Sequence, residues 1–123
     1  MSAILVVDDD PQVLEVVGEM LRLEGYDVVT AADGREAVAK FRDTPFDLVI
    51  TDLIMPEKEG LETIVEIRTV RRSVPVIAMS GGGRIGPTDY LETARHIGAS
   101  ATLAKPFARS ELITLVSHLL SEA

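Results

Sequence analysis

Five short, unbroken apolar runs set the strongest limit on what this chain can fold into: "AILVVD", "YDVVTA", "FDLVIT", "VPVIAMS" and "SATLAK". Each is the length of a strand, and none alternates cleanly between apolar and polar. That is the pattern of strands buried on both faces of a parallel sheet. Between the runs, apolar residues recur at helical spacing: Val13, Val17 and Leu21; Ala37, Val38 and Phe41; Leu61, Ile64 and Ile67; Leu91, Ala94 and Ile97; Leu112, Val116 and Leu119. Start and stop signals agree. Asp10-Pro11 reads as a helix cap followed by proline at the first helical position. Asp33-Gly34 and Ser110 mark two further entries, and Gly25 and Gly98 stand where helices should end. The order βαβαβαβαβα predicts an α/β sandwich with a parallel sheet and right-handed crossovers. No repeat, linker or low-complexity segment interrupts it, so residues 1–123 read as one domain.

Composition then removes whole classes of function. Aromatics are 4% of the chain against 46% hydrophobic residues, so the core must be aliphatic. The absence of cysteine excludes disulfides, thiolate metal sites and cysteine nucleophiles. The opening "MSAILVVDDD" has no basic start and too short an apolar run for a signal peptide, and no stretch approaches a membrane span. A cytoplasmic protein is the expectation, with no membrane partner. The net charge of −8 opposes nucleic-acid phosphates, so no direct nucleic-acid binding is expected.

In open parallel sheets, ligands bind beyond the carboxyl ends of the strands. The first run ends in Asp8, Asp9 and Asp10, the third in Asp52, the fourth in Ser80 and the fifth in Lys105. These groups share one rim if the strand order is the flavodoxin-like 2-1-3-4-5. Asp10 has a structural duty as a cap, and any one of the others has a plain alternative as a turn or surface residue. Together they do not, because Asp8, Asp9 and Asp52 repel one another unless a cation joins them. With only oxygen ligands on offer, that cation is hard, Mg²⁺ before Ca²⁺. Carboxylates, a divalent ion, an ammonium and a hydroxyl form a phosphoryl-transfer arrangement, with Asp52 able to act as the nucleophile.

At these residues the chain resembles the receiver domain of two-component response regulators, over essentially its whole length. The resemblance rests on "ILVVDDDP", "FDLVITDLIMPEKEG", "VPVIAMSG" and "IGASATLAKPF". It implies a flavodoxin-like (βα)5 three-layer sandwich and a Mg²⁺-dependent phosphorylation switch. Asp52 would accept a phosphoryl group from the phosphohistidine of a histidine kinase or a histidine phosphotransfer protein. Asp9 would coordinate Mg²⁺ directly and Asp8 mainly through water, with the Ile54 backbone carbonyl as a further ligand. Ser80 and Lys105 would bond phosphoryl oxygens, and the Lys105–Pro106 bond would be cis. Such a domain assists its own phosphorylation and dephosphorylation and is not a turnover enzyme. A homodimer is compatible with it, and the downstream target is open.

Two departures from the family pattern bear on signalling. Thr102 stands where the family carries an aromatic switch residue. The stretch "SGGGRIGPTDYLETARHIG" is about three residues longer than the family's usual fourth loop and helix. Its Gly81, Gly83 and Gly86 spell G-x-G-x-x-G, but Pro87 breaks the glycine-to-helix junction and the next strand ends in Lys105 where a dinucleotide site needs an acid. The mobility of Gly81, Gly82 and Gly83 beside Ser80 is the better account. One expectation is that this loop and the helix after it carry the signal, with the last strand and helix; the alternative is a flexible loop with no signalling role. His96 and His118 read as surface or boundary residues, and Tyr90 as a partial core residue or part of a partner face. Arg68, Arg71 and Arg72 suit the C-terminal end of a helix. Two rival functions remain. A small phosphatase of the haloacid-dehalogenase type uses the same groups but needs an acid where this chain has Ile54. A receiver-like binding module that is never phosphorylated needs none of them.

Overall fold

A computed structural model describes residues 2–53, 60–81 and 98–122. Five strands form one parallel sheet: β1 (Ala3–Val7), β2 (Asp27–Ala31), β3 (Leu48–Asp52), β4 (Val76–Gly81) and β5 (Ala101–Lys105), in the order β2-β1-β3-β4-β5. Four helices are described: α1 (Pro11–Leu23), α2 (Gly34–Asp43), α3 (Gly60–Val70) and α4 (Arg109–Glu122). The helix expected around Leu91, Ala94 and Ile97 lies outside the described residues, as do Ile54, Gly82, Gly83, Tyr90 and His96.

Alternation along the strands divides the core in two. Leu5, Val7, Val49, Val76 and Ala78 face α2 and α3, where they meet Ala37, Phe41, Ile64 and Ile67. Ile4, Val6, Leu48, Ile50, Ile77, Met79 and Leu103 face α1 and α4, meeting Val17, Leu21, Leu112 and Val116. The sheet is the middle of three layers. Burial on both faces holds for β3 throughout and for most of β1, but in the edge strands β2 and β5 only Ala31 and Leu103 are buried and the rest are half-buried or exposed. An edge strand has no neighbour on one side and fewer helices above it, so a continuous apolar run there leaves Val29 exposed.

Local chemistry explains the helix boundaries. Asp10 accepts from Gln12 N–H at 2.9 Å, ahead of Pro11 in the first turn. Asp33 accepts from Glu36 N–H at 2.8 Å. Gly25 closes α1 with a φ of 94°, a left-handed conformation that glycine adopts freely, and Gly98 has a φ of 121°. The last helix begins at Arg109, not at Ser110. There the Glu111 carboxylate accepts from Ala108 N–H at 3.1 Å and satisfies the terminus without a serine cap.

The arginines closing α3 do more than complement a helix dipole. Arg68 donates from Nε to Gly98 O at 3.0 Å and from its terminal nitrogens to Arg72 O and Val74 O, tying α3 to the entries of β4 and β5. Arg71 donates to Phe46 O and lies 5.5 Å over the Phe41 ring.

Candidate functional site

The chain leaves β1 for β2 on one side and returns to β3 on the other, so strand order reverses beside β1 and a crevice opens at its carboxyl end. Asp8 is the first residue past β1. Its backbone N–H is held by Ala31 O at 3.1 Å, and its Oδ1 accepts from Asp10 N–H at 2.9 Å. Those bonds fix the side chain in a site where it is 1% exposed. Asp52, the last residue of β3, is 6% exposed, and Ser80, near the end of β4, is 2% exposed. Asp9 is exposed at the mouth of the cluster.

Lys105 crosses the rim to meet the two buried acids. Its Nζ lies 2.7 Å from Asp8 Oδ2 and 3.2 Å from Asp52 Oδ1. Oxygens of Asp8, Asp9 and Asp52 all lie within 4.8 Å of one another. Three carboxylates against one ammonium leave a net negative pocket of hard oxygen donors, a donor set that fits Mg²⁺. The residues therefore suit the ion that the sequence implied.

Electrostatics mark Asp52 as the unusual group. Burial pushes its carboxyl up, and the Asp8 charge pushes it further. Lys105 opposes both, and the balance stands at about 6 against an ordinary 3.8. Burial pulls the Lys105 ammonium down, but its hydrogen bond to Asp8 and the charges of Asp52 and Asp8 outweigh that, and the net shift is upward. Lys105 therefore stays charged at neutral pH.

Of the residues singled out by sequence, Asp8, Asp9, Asp52 and Lys105 converge directly. Ser80 shares their rim, one position beyond Met79, the β4 partner of Asp52. Gly81 ends β4 opposite Lys105, and the Lys105–Pro106 bond is cis. Thr102 is half-buried on β5, paired with Ala78 three residues before the lysine.

Two residues escaped the sequence reading. Thr51 Oγ1 donates to the Asp52 carbonyl at 3.0 Å. Gly60 opens α3 against the backbone of Asp52 and Leu53, with its N–H donating to Leu53 O at 3.0 Å. A Cβ there would lie 2.5 Å from Leu53 Cα and 2.9 Å from the Asp52 carbonyl carbon, and nearer still to Asp52 O. The sequence offers only a glycine next to the Leu61 stripe, which says nothing about what approaches it.

Comparisons with known proteins agree with this geometry. Residues 4–117 match the family model of the response regulator receiver domain. The CpxR homolog of Haemophilus influenzae, a transcriptional regulatory protein, is 40% identical over 121 residues, covering 98% of this chain and 51% of that protein. The transcriptional regulatory protein PrrA of Mycobacterium leprae is 36% identical over 117 residues, 95% of this chain and 49% of that protein. The chain thus spans about half the length of these curated relatives. Among solved structures, a response regulator receiver domain protein from Clostridium thermocellum superposes with a TM-score of 0.92 at 28% identity, covering 99% of this chain and 96% of the other. The chemotaxis protein CheY4 of Vibrio cholerae gives 0.86 at 30% identity, covering 97% and 98%.

Proposed function

We propose that this chain, which belongs to the response regulator receiver domain family, accepts a phosphoryl group on Asp52 in a Mg²⁺-dependent reaction and changes conformation in response. The observation that carries the reading is Lys105 Nζ held 2.7 Å from Asp8 and 3.2 Å from Asp52, in a cluster completed by Asp9. The donor is a phosphohistidine on a histidine kinase or phosphotransfer protein. An Asp52 oxygen attacks phosphorus, a P–O bond forms, and the P–N bond to the imidazole breaks, with the leaving nitrogen taking up a proton. At neutral pH Asp52 is mostly ionised, since its carboxyl titrates at about 6, and so is available as the nucleophile.

The remaining residues divide the work around that step. Asp8, Asp9 and Asp52 would hold Mg²⁺, with the Ile54 carbonyl as the further ligand that the family resemblance implies. When bound, Mg²⁺ neutralises charge on the phosphoryl oxygens. Lys105 moves from its carboxylate partners to a phosphoryl oxygen. Ser80, at the same rim, bonds another and registers its arrival. The acyl phosphate is the signal. No turnover of an external substrate is involved, and the domain works inside the cell. An apolar groove between α1 and the turn after β5, lined by Gln12, Val13, Val16, Met20, Pro106 and Phe107, adjoins the rim where the donor must approach. Among the described residues no helix is long and apolar enough to cross a membrane.

Intact mass after incubation with acetyl phosphate tests the reading. One added phosphoryl group is expected, dependent on Mg²⁺ and absent from Asp52→Asn. Steady release of free phosphate without an adduct favours a phosphatase. Neither adduct nor release leaves a binding module that is not phosphorylated.

A further inference from the structure

The β2 edge of the sheet is lined by charged side chains that phosphoryl chemistry does not use. β2 pairs on one side only, with β1. Asp27 N–H donates to Ser2 O at 3.0 Å and Ala31 O accepts from Asp8 N–H at 3.1 Å, so Asp27 and Ala31 turn their backbone groups toward β1. Successive residues of a parallel strand direct theirs to opposite sides. Val28 and Thr30 therefore face outward, where another strand would sit. Both of their carbonyls are taken. Lys40 Nζ donates to Thr30 O at 2.6 Å from α2, and Arg22 Nη2 donates to Val28 O at 3.4 Å from α1. Just past the strand, Ala32 N–H donates to Glu36 Oε1 at 2.8 Å, while the other Glu36 oxygen holds Lys40 Nζ at 2.8 Å.

Helices from both faces of the sheet thus reach around to the same edge. Gly18 takes part in this. A Cβ there would sit 3.2 Å from Arg22 Nη1, so the arginine folds back along bare helix backbone toward β2. Glycine inside a helix costs about 1 kcal/mol relative to alanine, and here it leaves the Arg22 guanidinium room against the helix. The strand needs such cover. "DVVTA" is β-branched and carries the exposed Val29, and an open edge of this kind is a template for pairing with another chain.

We propose that Arg22, Glu36 and Lys40 hold the β2 edge closed against strand addition by a second copy of this chain, and that removing the two cations lets the protein associate edge to edge through β2. The test compares the parent with R22M/K40M and with R35M/R42M, which removes two exposed cations of α2 that leave the edge untouched. Each variant keeps 10 of the 12 cations against 20 acids, so the formal net charge moves from −8 to −10 in both and repulsion rises equally. Sedimentation velocity over a concentration series is expected to shift R22M/K40M from the parent's mass toward twice that mass. Amide exchange at Val28 and Thr30 should slow in the associated form. Glu36→Ala, which opens the edge from its N–H side, should shift the same way. R35M/R42M should keep the parent's mass. The proposal is overturned if R22M/K40M keeps the parent's mass, if R35M/R42M shifts as far, or if association leaves Val28 and Thr30 exchange unchanged.

Discussion

Replacing the nucleophile should make the metal-free protein more stable. Asp52 is almost fully buried, beside Asp8, and its carboxyl titrates at about 6 instead of 3.8. A folded-state value above the unfolded one means that the native protein binds this proton more tightly. The stability from that proton is fully present below pH ~4 and is lost as pH rises through about 6. Above that, both states are ionised and the native state bears the whole cost of a buried charge. A shift of roughly two pKa units at 1.36 kcal/mol each gives about 3 kcal/mol. Asp52→Asn removes the charge at nearly constant shape, and Lys105 keeps its 2.7 Å bond to Asp8. In EDTA at pH 7.5, Asp52→Asn should gain about 3 kcal/mol, roughly 1–2 M in urea midpoint. Near pH 4 the gap should close. Mg²⁺ should raise the parent's midpoint and narrow the difference, because it binds the native carboxylates. A destabilised Asp52→Asn, or a gap equal at pH 4 and pH 7.5, would refute the reasoning.

The neighbouring residues give further expectations. Lys105→Ala leaves the three acids facing one another without their ammonium, so phosphoryl acceptance from acetyl phosphate should slow roughly 100-fold, read by intact mass over time. The same variant should push the Asp52 carboxyl higher, which carbon NMR of the labelled carboxyl can follow. Gly60→Ala forces a methyl into the Asp52–Leu53 backbone and should cost about 1–3 kcal/mol in urea unfolding while slowing phosphoryl acceptance. Arg68→Ala leaves the carbonyls of Gly98, Arg72 and Val74 without their shared donor and should also cost about 1–3 kcal/mol. Because Arg68 lies at the far pole of the sheet, acceptance rates should stay near the parent's. A large loss of rate there would show that the entry of β5 controls Lys105.

Much of the fold was legible because its signals are local. A cap followed by proline at Asp10-Pro11, an aspartate before Gly34 and a left-handed glycine at 25 each act through bonds to residues a few positions away. Helical stripes and apolar strands announced the layers for the same reason. The reading of five strands buried alike failed at the edges, since nothing in "YDVVTA" or "SATLAK" distinguishes a central strand from an outer one. The last helix starts at Arg109, before Ser110, because the Glu111 carboxylate caps the terminus in place of the serine. Position at a helix end suggests a dipole role for the arginines of α3, but Arg68 and Arg71 bond specific carbonyls 30 and 25 residues away in sequence, which no local pattern reveals.

The site divides along the same line. Residue types and their positions at run ends named Asp8, Asp9, Asp52, Ser80 and Lys105, because a parallel sheet must present the ends of its strands on one rim. Sequence could say that these groups belong together, and what chemistry they suit. It could not say that Lys105 bridges Asp8 and Asp52, that Asp9 stays exposed while Asp8 is buried, or that burial lifts the Asp52 carboxyl to about 6. Nor could it place Gly60 against the Asp52 peptide, or bring Arg22 and Lys40 to one sheet edge from opposite faces. Those depend on distances between residues far apart in the chain, and such distances exist only once the helices have packed on the sheet.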